Sequence, residues 1–260
     1  MSKRKLLTRE DIIRSLVNSL EPLSYVRAFW EGGAVAYGRF DEWSDIDAYV
    51  VVDDDAVGRT FSVVESTLKA MSPIERKLPI PDPYPGVGQA FYKLSRASEY
   101  LLVDLAVIKL SAPDKFQEPE LHGDLLFYFN KAGVIKVNHL NKVALARKIK
   151  ERRDRLRLKI EMFNNFVQKE INRGNQLEAL EYYRTITLAT IVELLRMEHF
   201  PPHYEFRTRY LHHELPPEEI GRLERLSFIK DMKDLQRKYL EATKWVGGLL
   251  GRSSDEREST

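Results

Sequence analysis

Asp45 and Asp47 stand one residue apart, with Ile46 between them, at the head of the apolar run Ala48-Tyr49-Val50-Val51-Val52. Side chains alternate along a strand with period two, so the two carboxylates are predicted to share one face. Hard oxygen donors in that arrangement suit magnesium, which takes one or two carboxylates and completes its shell with water and phosphate oxygens. Upstream lies Gly32-Gly33. Neither residue has a Cβ, so backbone amides there can approach an anion closely. Each signal alone is ordinary, since Asp-X-Asp and Gly-Gly both occur in solvated turns. In succession they predict a metal facing a phosphate cradle.

The elements that must position these residues follow from patterning. Residues 8–20 are predicted to form a helix, with Thr8 as N-cap, Glu10 and Asp11 in the first turn and an apolar stripe from Ile12 to Leu20. Residues 24–30 read as a strand running into the glycine turn, and a short helix over 34–37 would point its N-terminus at that turn. The unbroken apolar character of 47–52 predicts a strand buried on both faces. A helix over 56–70 follows, and Pro73 and Pro79-Ile80-Pro81-Asp82-Pro83 read as breakers. Strands are predicted at 88–94 and 101–110.

Asp104 is alone in the second of these apolar strands. A buried carboxylate is costly without a metal, a partner or a shifted pKa, and an ion-paired strand acid is the plain alternative. On a strand adjacent to Asp45 and Asp47 it would complete a set of three acids able to hold one or two metal ions.

From about residue 141 the pattern becomes helical. Leu145, Ile149, Leu156, Ile160, Phe163, Val167 and Ile171 share a helical face, predicting one long helix ended by Gly174. A second helix over 176–197 is apolar on most sides and is predicted to be central in a bundle. Pro201-Pro202 breaks it, Pro216-Pro217 opens another helix, and 227–250 forms the last. Residues 251–260 read as a disordered tail.

Composition narrows the function classes. Across 260 residues, 41 Lys and Arg balance 39 Asp and Glu for a net charge of +2, which nominates no nucleic-acid binder. The absence of cysteine excludes a disulfide scaffold, a zinc–thiolate site and a cysteine nucleophile. No apolar stretch is long enough to span a membrane, and Met1-Ser2-Lys3-Arg4-Lys5 does not lead into a signal-peptide core, so a cytoplasmic location is predicted.

Gly32-Gly33, Ser44-Asp45-Ile46-Asp47, the later strand acid Asp104 and a helical second half together resemble the nucleotidyltransferase superfamily related to DNA polymerase β. Size and the helical half are similar to its antibiotic-modifying branch, the kanamycin and lincosamide nucleotidyltransferases. Gly33 stands where such enzymes often have serine, a position at which glycine is also common. The resemblance implies an α/β (α+β) catalytic domain with a mixed sheet over residues 1–140 and an all-α helical bundle over 141–250. It implies that Asp45, Asp47 and Asp104 hold two magnesium ions while Gly32, Gly33 and Ser44 contact the triphosphate. A nucleoside monophosphate, from ATP by default, would pass to a hydroxyl of a small-molecule acceptor, with pyrophosphate leaving. A homodimer is the assembly it suggests. Transfer to a protein or RNA acceptor, or a non-catalytic nucleotide-binding regulatory module, are the alternatives.

Four further constellations carry less. Glu161, Glu178 and Glu181 could supply a base, although exposed helix-face glutamate is the simpler reading. Residues 147–159 hold eight basic and two acidic residues, but without interleaved aromatics a solvated or intersubunit face is favoured over a nucleic-acid track. Arg207 and His212 resemble the Arg-X4-His element of helical ribonuclease-like toxins, with surface or capping roles favoured. Gly86-Val87-Gly88 could flex over the site as a lid, with a plain turn into the next strand favoured.

Overall fold

Thr8 starts the first helix by a reciprocal pair of bonds: its hydroxyl accepts the Asp11 N–H and its own N–H donates to the Asp11 carboxylate, each at 3.2 Å. The computed structural model describes residues 6–252, the Asp82 side chain excepted. Met1 to Lys5 and residues 253–260 of the expected tail lie outside them, whereas Gly251 belongs to the last helix. The chain divides into two compact units, with the division between Leu140 and Asn141.

The first unit is built on a six-stranded mixed sheet. Its strands are β1 (Val26–Glu31), β2 (Ile46–Val52), β3 (Ile74–Tyr84), β4 (Val87–Leu94), β5 (Leu102–Lys109) and β6 (Leu126–Asn130), in the order β3-β4-β5-β2-β1-β6. Only β2 and β5 pair in parallel. One face packs on α1 (Arg9–Leu20) and α3 (Val57–Met71), where Leu16, Leu68, Val50 and Leu105 are among the fully buried side chains. The opposite face carries a smaller apolar cluster that includes Trp30, Val51 and Ile108. Between β1 and β2 lies the single turn α2 (Gly33–Ala36), and α4 (Pro119–His122) precedes β6.

Three sequence expectations need correction here. The proline run over 79–83 does not break the chain but lies within β3, an edge strand whose outward N–H positions need no partner. Strand β2 is buried on both faces only from Val50 onward; Asp47 and Tyr49 are half-buried. The short strand β6 was not anticipated, although its apolar and aromatic run Leu126-Phe127-Tyr128-Phe129 carries a strand signal.

The second unit is helical throughout its regular elements: α5 (Lys142–Phe163), α6 (Asn165–Arg173), α7 (Gln176–Tyr182), a π segment (Tyr183–Leu188), α8 (Ala189–His199), α9 (Leu211–Glu214), α10 (Pro217–Ser227) and α11 (Met232–Gly251). The single long helix expected up to Gly174 is divided at Asn164. That buried side chain accepts the Thr187 hydroxyl at 2.7 Å and donates to Thr243 at 3.0 Å, and the Asn164 backbone carbonyl accepts the Tyr239 hydroxyl at 3.0 Å, while its backbone stays α-helical. The helical stretch after Gln176 is central as expected, with Ile191, Leu194 and Leu195 fully buried. The last helix begins at Met232, not near 227, because Asp231 caps it by accepting the Asp234 N–H.

The basic run over 147–159 has a local use. Arg153 donates to the Leu249 and Arg252 carbonyls and Arg157 to the Leu250 carbonyl, so two of its cations cap the C-terminus of α11. Glu161, Glu178 and Glu181 are exposed, as the simpler reading has it.

Candidate active site

The parallel pairing of β2 and β5 sets Asp47 directly opposite Asp104. Residues in register on neighbouring strands project to the same side, so the two carboxylates stand side by side on the sheet face away from α1 and α3. Next along that face, Gln89 of β4 donates its amide N–H to Asp104 Oδ1 at 2.7 Å. Both acids are half-buried. The expectation of a buried Asp104 is therefore corrected: it keeps contact with solvent and with a side-chain donor.

The glycine turn is seated on β2. The Gly32 N–H donates to the Asp47 carbonyl at 2.9 Å, and a Cβ on Gly32 would come within 2.6 Å of the Tyr49 ring. Gly33 has φ +59°, the left-handed region, and a Cβ there would lie 1.6 Å from Asp47 Oδ2. Backbone conformation and space therefore both demand glycine. The turn is held from behind by Gly123, on which a Cβ would come within 2.7 Å of Ala36, and by the Asp124 N–H, which donates to the Ala36 carbonyl at 2.9 Å.

Asp45 and Ser44 are placed differently. Asp45 is the last residue before β2, and its Oδ1 accepts the Leu102 N–H at 3.0 Å, tying the starts of β2 and β5 together. Its carboxylate is drawn toward the backbone of β5, away from the shared-face position that strict alternation predicts. Ser44 closes a turn with Asp41, donating to Asp41 Oδ1 at 2.8 Å and accepting the Asp41 N–H at 2.9 Å. Among the described residues, no three His, Cys, Asp or Glu side chains are gathered closely enough to hold a metal ion together.

Two residues that the sequence reading passed over support this region. Glu31, 1% exposed and next to Gly32, is paired with Arg9 and accepts the Tyr128 hydroxyl at 2.6 Å. Arg9 also donates to the Asp45 carbonyl at 2.6 Å. Burial pulls the Arg9 guanidinium below its ordinary pKa, opposed by nearby groups that include Tyr128, Asp47, Glu10 and Asp45. An acid inside the apolar stretch leading to Gly32-Gly33 was the available signal for Glu31.

Paired carboxylates that share a sheet face can accept a hard cation, whose remaining positions are open to anionic oxygen groups. No protein-family model matches the sequence, and no curated protein is significantly similar to it. Among solved structures the chain is similar to an aminoglycoside 6-adenyltransferase from Bacillus subtilis, at 12% identity over 95% of this chain and 93% of that one, with a TM-score of 0.31.

Proposed function

We propose that this chain is a magnesium-dependent nucleotidyltransferase, moving a nucleoside monophosphate from a nucleoside triphosphate, ATP by default, to a hydroxyl of a small-molecule acceptor. One observation carries the reading: Asp47 and Asp104 face each other in register on parallel strands, with Asp47 lying against the Cβ-free backbone of Gly33.

The donor set fits magnesium, being oxygen-only and set on a strand pair that fixes its spacing. Asp47 and Asp104 would hold it, and Asp45 would join them on releasing the Leu102 N–H. When bound, the metal supplies charge neutralisation for the triphosphate and a lowered pKa for the attacking hydroxyl. The chain's own residues do the rest. Gly32 and Gly33 let the phosphates approach the backbone, and Gln89 fixes the Asp104 carboxylate by its hydrogen bond. The Ser44 hydroxyl, on leaving Asp41, adds a donor for a phosphate oxygen. In the transfer the acceptor hydroxyl gives its proton to solvent, its oxygen bonds to the α-phosphorus as the bond to the bridging oxygen breaks, and pyrophosphate leaves with that electron pair. Positioning and charge stabilisation supply most of the acceleration in such a displacement.

Pyrophosphate release from magnesium-ATP with a panel of polyhydroxylated acceptors tests the reading. Asp47→Asn and Asp104→Asn should each lower release by about a hundredfold or more, the scale of losing one charge-stabilising group. Undiminished release by both variants would refute the assignment.

A further inference from the structure

The helical unit contains a cavity of about 970 Å³, at the upper end of small-molecule sites. Its floor is apolar, with Leu188, Val192, Leu211 and Leu223 all buried. Two stretches of its wall have irregular backbone. The π segment contributes Arg184 and Thr185, and single π turns are concentrated at functional sites. Arg207 sits at φ +52°, a conformation that non-glycine residues rarely adopt and that persists only where the surroundings enforce it.

The enforcement is visible. Arg196, wholly buried, donates to the Arg207 carbonyl at 2.7 Å and to the Arg209 carbonyl, and is paired with Glu214. Glu214 is bonded in turn to the buried His203 at 2.9 Å. A buried ionic network thus fixes the turn that carries Arg207 to the cavity rim.

Charge around the rim is unevenly balanced. Glu193 takes a bidentate pair from Arg152 at 2.5 and 3.1 Å, Glu224 faces His212 at 3.9 Å, and Glu205 lies against the Tyr204 hydroxyl and near Arg152. Among the described residues, Lys159, Arg184 and Arg207 have no carboxylate within 4 Å. Lys159 donates to the Thr185 carbonyl at 2.9 Å, and burial holds its ammonium below the ordinary pKa against the nearby charge of Glu193.

We propose that this cavity binds an amphipathic organic anion, its apolar or aromatic body on the leucine floor and its phosphate or carboxylate group at Lys159, Arg184 and Arg207. Guanidinium and ammonium groups over an apolar floor provide both halves of that recognition. The site lies wholly in the helical unit and stands or falls independently of nucleotidyl transfer at the sheet.

Calorimetric titration of the full chain without added magnesium tests it, using 1-naphthyl phosphate, 1-naphthoate and the uncharged 1-naphthalenemethanol as probes. At least one anion should bind tenfold or more tightly than the alcohol, and which one does so distinguishes a phosphate from a carboxylate ligand. The double variant Arg184→Gln/Arg207→Gln, with both side chains exposed and its circular dichroism unchanged, should lose that preference while keeping alcohol binding. Arg155→Gln, on the same helix as Arg152 but outside the cavity, should retain it. Equal binding of anion and alcohol, no binding of any probe, or a preference that survives in the double variant would overturn the proposal.

Discussion

The two units hold their ionic groups by opposite means. In the sheet unit, Asp47 and Asp104 are half-buried and set side by side by strand register. In the helical unit, Arg196, Glu214 and His203 are fully buried and set by one another, with aromatic support from Phe206 stacked on His203 at 4.0 Å. Half-exposed groups keep much of their hydration, so replacing one removes chemistry at little cost to the fold. A buried network has lost its water, so removing one member leaves the others uncompensated. Substitutions in the Asp47–Asp104 pair should therefore read out as function and those in the Arg196–Glu214–His203 network as stability.

The largest effect should come from Arg196→Met. It takes the guanidinium from Glu214 and a donor from each of the Arg207 and Arg209 carbonyls, and a stability loss of about 3–5 kcal/mol is expected in urea unfolding. A loss below about 1 kcal/mol would break the contrast from the helical side. Asp47→Asn tests the other side: activity should fall by about a hundredfold. Its unfolding midpoint should stay the same or rise slightly, because two adjacent carboxylates repel. A strongly destabilised but active variant would invert the account.

Gly33→Ala lies between the two. The left-handed conformation costs about 1–2 kcal/mol with a Cβ, and the 1.6 Å approach to Oδ2 obliges the Asp47 carboxylate to move. Nucleotide affinity should fall about tenfold at a modest stability cost, since tenfold corresponds to about 1.4 kcal/mol. Retained affinity would show that the position of the Asp47 carboxylate is not critical.

The smallest effect concerns acid stability. Asp234 near the start of α11 is held well below the ordinary carboxylate pKa, first by its bond to Lys238, then by the Lys230 N–H and Arg237. A depressed folded-state pKa gives stability that is present above the unfolded value, near 4, and lost as pH falls toward the folded one. Asp234→Asn should flatten the pH dependence of the unfolding midpoint below about pH 4 and leave its shape above pH 6 unchanged. An acid limb identical to the parent's would show that the Lys238 pair contributes nothing there.

How much was legible in the sequence follows the same division. Register and alternation are local, so the strands around Asp47 and Asp104, the Thr8 cap and the glycine turn could be read from residue types and spacing. The departures at this site come from partners distant in sequence. Asp45 is turned by the Leu102 N–H, and Asp104 is met by Gln89. Prolines 79, 81 and 83 misled because edge position in a sheet is not a local property. In the second unit, Asn164 divides a helix whose apolar periodicity runs straight through it, and its partners Thr187, Tyr239 and Thr243 are distant in sequence. Nothing in the spacing of Arg196, His203 and Glu214 announces that they meet.

The central claim is that the Asp47–Asp104 pair and the Gly32-Gly33 turn bind a nucleoside triphosphate through magnesium. Calorimetric titration of the full chain with a non-hydrolysable ATP analogue, with and without magnesium, tests it most directly. The account predicts binding that depends on magnesium and is lost in both Asp47→Asn and Asp104→Asn. Binding of equal affinity without the metal, or undiminished in both variants, would contradict it.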